Sequence, residues 1–284
     1  MKKCLIVVNL FKEEAAPLGK EIKSFLKTKG VCADLFTYNG QSSSEKQKEV
    51  SFEGYDFAVT LGGDGTVLFA SRKCAPLDIP VFPVNLGEFG FIAGVQKNEW
   101  QQKLESFLEG KEQIAKRSLV KAIVLRKGKV VFSCSGMNDI VIGSASAVKI
   151  INVDIAYTGA PLGRFKADGI IVSTATGSTA YSLAAGGPII DPQLDALILT
   201  PINSFSLSSR PLVLNPHGEL SVTVLPSRAS LELTADGQVP FLLKENDCIK
   251  MRISENKASL VCSTPENFYS ALRSKLNWSG GPLA

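Results

Sequence analysis

Histidine is nearly absent from this chain of 284 residues: His217 stands alone. Zinc centres and histidine-based triads need imidazole or thiolate groups in number, so neither is expected, and most hydrolase mechanisms go with them. The six cysteines, Cys4, Cys32, Cys74, Cys134, Cys248 and Cys262, include no C-x-x-C pair. Without a secretory signal they read as reduced, mostly buried thiols. Long apolar runs are missing too, so no membrane span is expected. The opening Met1-Lys2-Lys3 precedes an apolar run only from residue 4 to 8, too short for a signal-peptide core, which implies a cytoplasmic protein. Charge of one sign is scarce: 31 Lys and Arg face 27 Asp and Glu, a net +4. That excess is too mild to argue for nucleic-acid binding, although isolated basic residues suit a small anionic ligand.

What is present is ordinary for a globular chain. Hydrophobic residues make up 45% and charged residues 20%, a balance that excludes disorder. The 24 glycines and 14 prolines lie scattered and no heptad persists, which excludes collagen and coiled coil. At about 150 residues per domain the length implies two domains.

The chain has two textures. Residues 1–115 alternate strand and helix: strands at 3–9, 31–38, 56–61 and 79–84, helices at 15–29, after residue 62, and at 98–109. In the first helix Leu18, Ile22, Phe25 and Leu26 form one apolar stripe and Gly30 supplies the stop. In the third, Asn98 is placed as N-cap and Gly110 at the end. This alternation predicts a wound parallel sheet. From 116 to 264 short strands at 119–125, 129–135, 148–157, 162–165, 220–225, 230–234, 248–253 and 258–262 are separated by turn signals, which predicts an antiparallel β domain. Residues 265–284 open with a helical pattern at 265–276 that is expected to return to the first domain.

Gly62-Gly63-Asp64-Gly65-Thr66 follows a buried strand and opens a helix, the crevice where wound sheets bind ligands. Glycines bring backbone N–H groups close to phosphate oxygens, and a helix N-terminus favours negative charge. Asp64 repels phosphate, so it suits a metal ligand or a base beside a hydroxyl; a plain turn with a capping Asp is the bland alternative. Neither a Walker loop nor a dinucleotide fingerprint is present, because Leu68 replaces the third Rossmann glycine. A second glycine-rich loop, 85–91, ends the next strand. Asn138-Asp139 is either a turn before a strand or a pair able to hold adjacent hydroxyls or a base edge. Residues 168–188, DGIIVSTATGSTAYSLAAGGP, run from a strand at 170–172 into a hydroxyl-crowded helix start at 178–185. Those hydroxyls either cap the helix or bind a ligand carrying sugar and phosphate. Ser178 has no histidine nearby in sequence to serve as its base. Asp236-Gly237-Gln238 reads as a turn.

Taken together, GGDGT at 62–66, N-x-G-x-x-GF at 85–91, the Asn-acid pair at 138–139, the block at 168–188, LTPI at 199–202, RPLV at 210–213 and DGQ at 236–238 resemble the NAD kinase family. GGDGT is shared with lipid kinases and phosphofructokinases; the long glycine- and hydroxyl-rich block is the specific part. The resemblance implies an α/β domain and a β domain with NAD held between them, ATP or polyphosphate as donor, a divalent cation such as Mg²⁺ on that donor, and a homodimer or homotetramer. It assigns Asp64 as proton acceptor from the adenosine ribose 2′-hydroxyl. Gly63, Gly65, Thr66 and Phe91 fall in the nucleotide-binding loops. Asn138 and Asp139 match a pair contacting NAD, Asp168 the nicotinamide half, and Lys149 and Lys166 positions near the nucleotide. Thr176, Thr179, Ala180, Tyr181, Ser182, Leu183 and Ala184 match the segment around adenine and ribose, with Asn203 and Gln238 as further matches. Asp139 stands where Glu is usual, Ala175 where Pro is frequent, and Phe205 where many relatives have His. A lipid kinase and a non-catalytic NAD-binding regulator are the rival expectations; the first needs an apolar groove, and the second has no use for Asp64.

Overall fold

The apolar run at 57–62 is buried at every residue within a parallel sheet, and the alternating run at 231–235 turns every second residue into an antiparallel core. A computed structural model describes residues 1–40, 51–87, 90–146, 150–227 and 229–278. In chain order the elements are β1 (Lys3–Asn9), α1 (Ala15–Thr28), β2 (Cys32–Tyr38), β3 (Phe57–Gly62), α2 (Asp64–Cys74), β4 (Pro80–Asn85), β5 (Val95–Gln96), α3 (Trp100–Leu108), β6 (Ile114–Arg117), β7 (Val120–Arg126), β8 (Lys129–Gly136) and β9 (Asp139–Ser144). There follow β10 (Ile151–Tyr157), β11 (Ala160–Ala167), β12 (Gly169–Thr174), α4 (Tyr181–Ala184), β13 (Leu197–Ile202), β14 (Leu212–Leu214), β15 (Leu220–Val224), β16 (Leu231–Ala235), β17 (Val239–Leu242), β18 (Cys248–Ile253), β19 (Ala258–Val261) and α5 (Pro265–Leu276). The chain separates into two compact units, Met1–Lys116 with Lys257–Ala284, and Arg117–Asn256.

The first unit holds a sheet ordered β2-β1-β3-β4-β19-β6, with β5 beside β4. β1, β2, β3, β4, β5 and β19 pair in parallel. Every residue of β3 is buried. Ile6, Val8, Val59, Leu61, Phe82 and Val84 share one core with Leu18, Ile22 and Leu26 of α1 and with Trp100 and Leu104 of α3. α1 ends as its glycine requires: Gly30 takes φ +72, Val31 N–H donates to Leu26 O at 2.9 Å and Gly30 N–H to Lys27 O at 3.1 Å.

The second unit is a sandwich. One sheet runs β11-β10-β15-β18-β7-β8, the other β14-β13-β12-β9-β16-β17, and the neighbouring strands within each are antiparallel. Alternate residues of both sheets meet in a single core: Val120, Ala122 and Val124 of β7 share it with Ile140, Ile142, Ile170, Val172, Leu231 and Leu233.

Several expectations are corrected. The sequence pattern puts 258–262 in the antiparallel series, but β19, buried along its whole length, pairs in parallel with β4. The helix expected at 98–109 begins later: α3 starts at Trp100 after Glu99, with no side-chain cap, where Trp100 meets Phe25 edge-on at 5.4 Å. The helix expected at 178–185 is a 3₁₀ turn, Thr176–Thr179, and the short α4, interrupted at Ala180 (φ −101, ψ −130). Strand 162–165 extends to Ala160–Ala167, and 148–157 is seen as Ile151–Tyr157, part of its start lying outside the described residues. The sequence pattern does not announce β5, β6, β13, β14 or β17. α5 returns to the first unit, where Phe268 lies 6.1 Å from the Phe91 ring. The six cysteines form no disulfide among the described residues, and burial pushes the Cys4, Cys74 and Cys262 thiols up.

Candidate active site

In the first unit, functional groups sit where β3 and β4 end. A side chain at Gly62 would place its Cβ 2.3 Å from Thr66 Oγ1, so only glycine lets β3 turn directly into α2. Thr66 is buried, and its Oγ1 accepts from Asn9 Nδ2 at 2.9 Å, which ties the turn to the end of β1. Gly63 is extended and precedes Asp64, the first residue of α2; Gly65 is exposed. The Asp64 carboxylate reaches across to the second glycine-rich loop: Oδ2 accepts from Phe91 N–H at 3.1 Å and Oδ1 from Ala93 N–H at 3.0 Å. A Cβ on Gly90 would lie 2.1 Å from Asp64 Oδ1. The two loops at adjacent strand ends are therefore joined through Asp64. Leu86 N–H also donates to Gly62 O at 2.9 Å. Glu88 and Phe89 lie outside the described residues.

In the second unit the groups lie on the face of a sheet. Ile140, Ile142, Ile170 and Val172 point into the sandwich core, so Asp139, Val141 and Gly143 of β9 lie on the opposite face. Asn138 precedes β9 in a tight setting. A Cβ on Gly177 would fall 2.0 Å from Asn138 O, and one on Gly136 2.4 Å from Asp139 O. Asp139 is buried; that burial, and then the charge of Asp236, push its carboxyl up to about 7. Asn138, Asp139, Ala180, Tyr181 and Asp236 line a recess of roughly 330 Å³. A neighbouring cleft of roughly 390 Å³ is lined by Asp168, Asn203, Ser144, Glu232 and Tyr181, so Tyr181 borders both. Asn203 Nδ2 donates to Asp168 Oδ2 at 2.9 Å.

The hydroxyls of 173–188 are largely used within the protein. Thr174 Oγ1 donates to Met137 O at 2.6 Å and accepts from Gly177 N–H at 3.1 Å. Ser178 Oγ accepts from Ile190 N–H at 3.0 Å, and Ser182 Oγ pairs with Thr200 Oγ1 at 2.9 Å. Thr179 Oγ1 donates to Thr176 O at 3.4 Å. These groups brace the segment that presents Ala180 and Tyr181. Leu183 is half-buried and Ala184 exposed, Lys166 is exposed on β11, and Gln238 donates its N–H to Ala235 O at 2.9 Å. Lys149 lies outside the described residues. Sequence reasoning missed Val141, Gly143, Ser144, Glu232 and Thr234, and read Asp236 only as a turn residue of the DGQ motif; the signal for Glu232 and Thr234 was the alternation of LELTA, whose leucines go to the core. Among the described residues no group of three or more His, Cys, Asp or Glu is placed to hold a metal ion.

The sequence matches the family described as ATP-NAD kinase N-terminal domain over residues 4–112 and that described as ATP-NAD kinase C-terminal domain over residues 137–263. It is 48% identical to an NAD kinase of Treponema denticola over 281 residues, covering 99% of this chain and 98% of that protein. It is 41% identical to an NAD kinase of Treponema pallidum (strain Nichols) over 279 residues, 98% of this chain and 90% of the relative. The fold matches an NAD kinase from Archaeoglobus fulgidus in complex with ATP at a TM-score of 0.77 and 27% identity, over 98% of this chain and 99% of the other. It also matches yeast NADH kinase complexed with NADH at a TM-score of 0.81 and 23% identity, over 99% and 89% of the two chains. With near-complete coverage at 48% identity, the chain belongs to the NAD kinase family.

Proposed function

We infer that this chain transfers the terminal phosphoryl group of ATP, or of polyphosphate, to the 2′-hydroxyl of the adenosine ribose of NAD, giving NADP. The observation that carries the reading is the recess and cleft on the sandwich face, where Asn138, Asp139, Asp168 and Asn203 offer donors and acceptors around Tyr181. Asp64 suits the proton acceptor. Each carboxylate oxygen has two acceptor positions, and the Phe91 and Ala93 amides use one on each, so both oxygens retain a position for the ribose proton. The same two bonds fix the orientation of the carboxylate. Phosphoryl transfer depends chiefly on such positioning and on charge neutralisation. A divalent cation such as Mg²⁺ is proposed on the phosphate donor as part of the substrate, because Mg²⁺ favours phosphate and water oxygens as ligands.

Gly63 and Gly65 are proposed to face the phosphates, with buried Thr66 bracing their turn from behind, and Asn138, Asp139, Asp168, Ala180, Tyr181 and Asn203 to hold NAD. A homodimer or homotetramer is proposed; Phe205, Leu207 and Val213 are exposed apolar side chains that support it. A cytoplasmic location is proposed as well, and no described helix is long and apolar enough to cross a membrane. The test is purified protein with NAD, Mg²⁺ and either ATP or polyphosphate, NADP being followed with an NADP-specific dehydrogenase. NADP formation is expected. Phosphate transferred to diacylglycerol, with none in NADP, overturns the reading.

A further inference from the structure

Asp236 sits in the turn between β16 and β17 at φ +50, followed by Gly237 at φ +64. Its carboxylate accepts from three successive amides: Met137 N–H at 3.0 Å on Oδ2, and Asn138 N–H at 2.8 Å and Asp139 N–H at 3.1 Å on Oδ1. In return Asp236 N–H donates to Asp139 O at 3.0 Å. From the other side Thr174 N–H donates to Asn138 O at 2.9 Å. The backbone that carries the Asn138 and Asp139 side chains is thus gripped from two directions, and one of the grips is a side chain.

We propose that Asp236 is a positioning residue of the NAD site, fixing the Asn138-Asp139 turn through its backbone and placing a negative charge beside the Asp139 carboxyl. The inference rests on the reading of the recess as part of that site. Around Asp139, β12 contributes Ser173, its cross-strand partner, whose buried hydroxyl has no hydrogen-bond partner among the described residues. α4 contributes Tyr181 to the recess, and the β16–β17 turn contributes Asp236. Asp236 is the charged neighbour that acts on Asp139. Its removal has two separable consequences. The turn loosens as three amides lose their acceptor, and Asp139 loses a repulsion that favours its protonated form.

The experiment is steady-state kinetics of the wild type, Asp236→Ala and Asp236→Asn across pH 5.5–8.5, a window of about three units around the Asp139 titration. Asp236→Ala is expected to raise KM for NAD roughly 10- to 100-fold, with KM for ATP unchanged. Asp236→Asn keeps an acceptor oxygen for the Asn138 and Asp139 amides, so much of the NAD affinity should return. Having no charge, it should move the pH midpoint of KM for NAD downward. Wild-type KM in a folded Ala variant overturns the proposal, as does an equal rise in KM for both substrates or an unmoved midpoint in Asn. If the Ala variant does not fold, the Asn midpoint decides. If the wild type makes no NADP, the functional reading fails instead, and calorimetry with NAD on the same variants still decides the role of Asp236.

Discussion

The two units expose chemistry in different places because their strands are buried differently. In the parallel sheet β3 is buried along its whole length, so polar groups can emerge only where strands end, at Asp64 and the 85–93 loop. In the sandwich β9 and β16 each turn one face to the core, and the opposite face carries Val141, Gly143, Glu232 and Thr234. A site at strand ends is made of glycine turns and backbone amides. A site on a sheet face is made of alternating side chains, with neighbouring loops holding them in place.

The largest expected effect separates chemistry at the strand ends from binding on the sheet face. Asp64→Asn keeps nearly the same shape but cannot accept the ribose proton, so kcat should fall by about 10²–10⁴-fold while NAD affinity holds. Wild-type turnover would remove Asp64 from the mechanism, and rescue by excess Mg²⁺ or Mn²⁺ would make it a metal ligand. On the face, Asp168→Ala should instead weaken NAD binding by roughly 10- to 150-fold, the worth of a charged hydrogen-bond partner. Calorimetry giving unchanged affinity would place Asp168 outside the site.

Glycine substitutions sharpen the same contrast. In Gly177→Ala the new Cβ meets backbone atoms of Asn138 at 2.0–2.7 Å, which cannot swing aside as a side chain would. A loss of at least about 1–3 kcal/mol is expected in urea unfolding. Gly63→Ala meets nothing within 4 Å and has negative φ, so its loss should stay below about 1 kcal/mol. Equal destabilisation of the two variants would contradict the packing described.

A separate effect is a pH slope. Asp139 titrates near 7 when folded and from its ordinary 3.8 when unfolded. Between those values the unfolded chain has released a proton that the folded chain retains, so rising pH favours unfolding. The Asp139 contribution to stability is therefore full below pH 3.8, declines up to about 7 and is level above it. In Asp139→Asn that part of the slope should vanish from thermal melts; an unchanged slope would assign it to other groups.

Much of the fold was legible locally. The stripe Leu18-Ile22-Leu26 and Gly30 determined α1 and its end, and GGDGT after an apolar run determined a strand-to-helix turn. Turn pairs such as Lys127-Gly128 and Thr158-Gly159, all at positive φ, marked hairpins. Asp64, Asn138, Asp139, Asp168 and Tyr181 could be named from motifs. Other features were decided by tertiary structure. A short buried run such as β19 suits either kind of sheet, and its partner β4 made it parallel. A serine or threonine near a helix start can face a ligand or the protein, and packing turned Ser178 and Ser182 inward. Asp236 reads as a turn residue in sequence; only the return of β16 beside β9 brings its carboxylate to amides about a hundred positions away, since hydrogen bonds depend on distance in space and not along the chain.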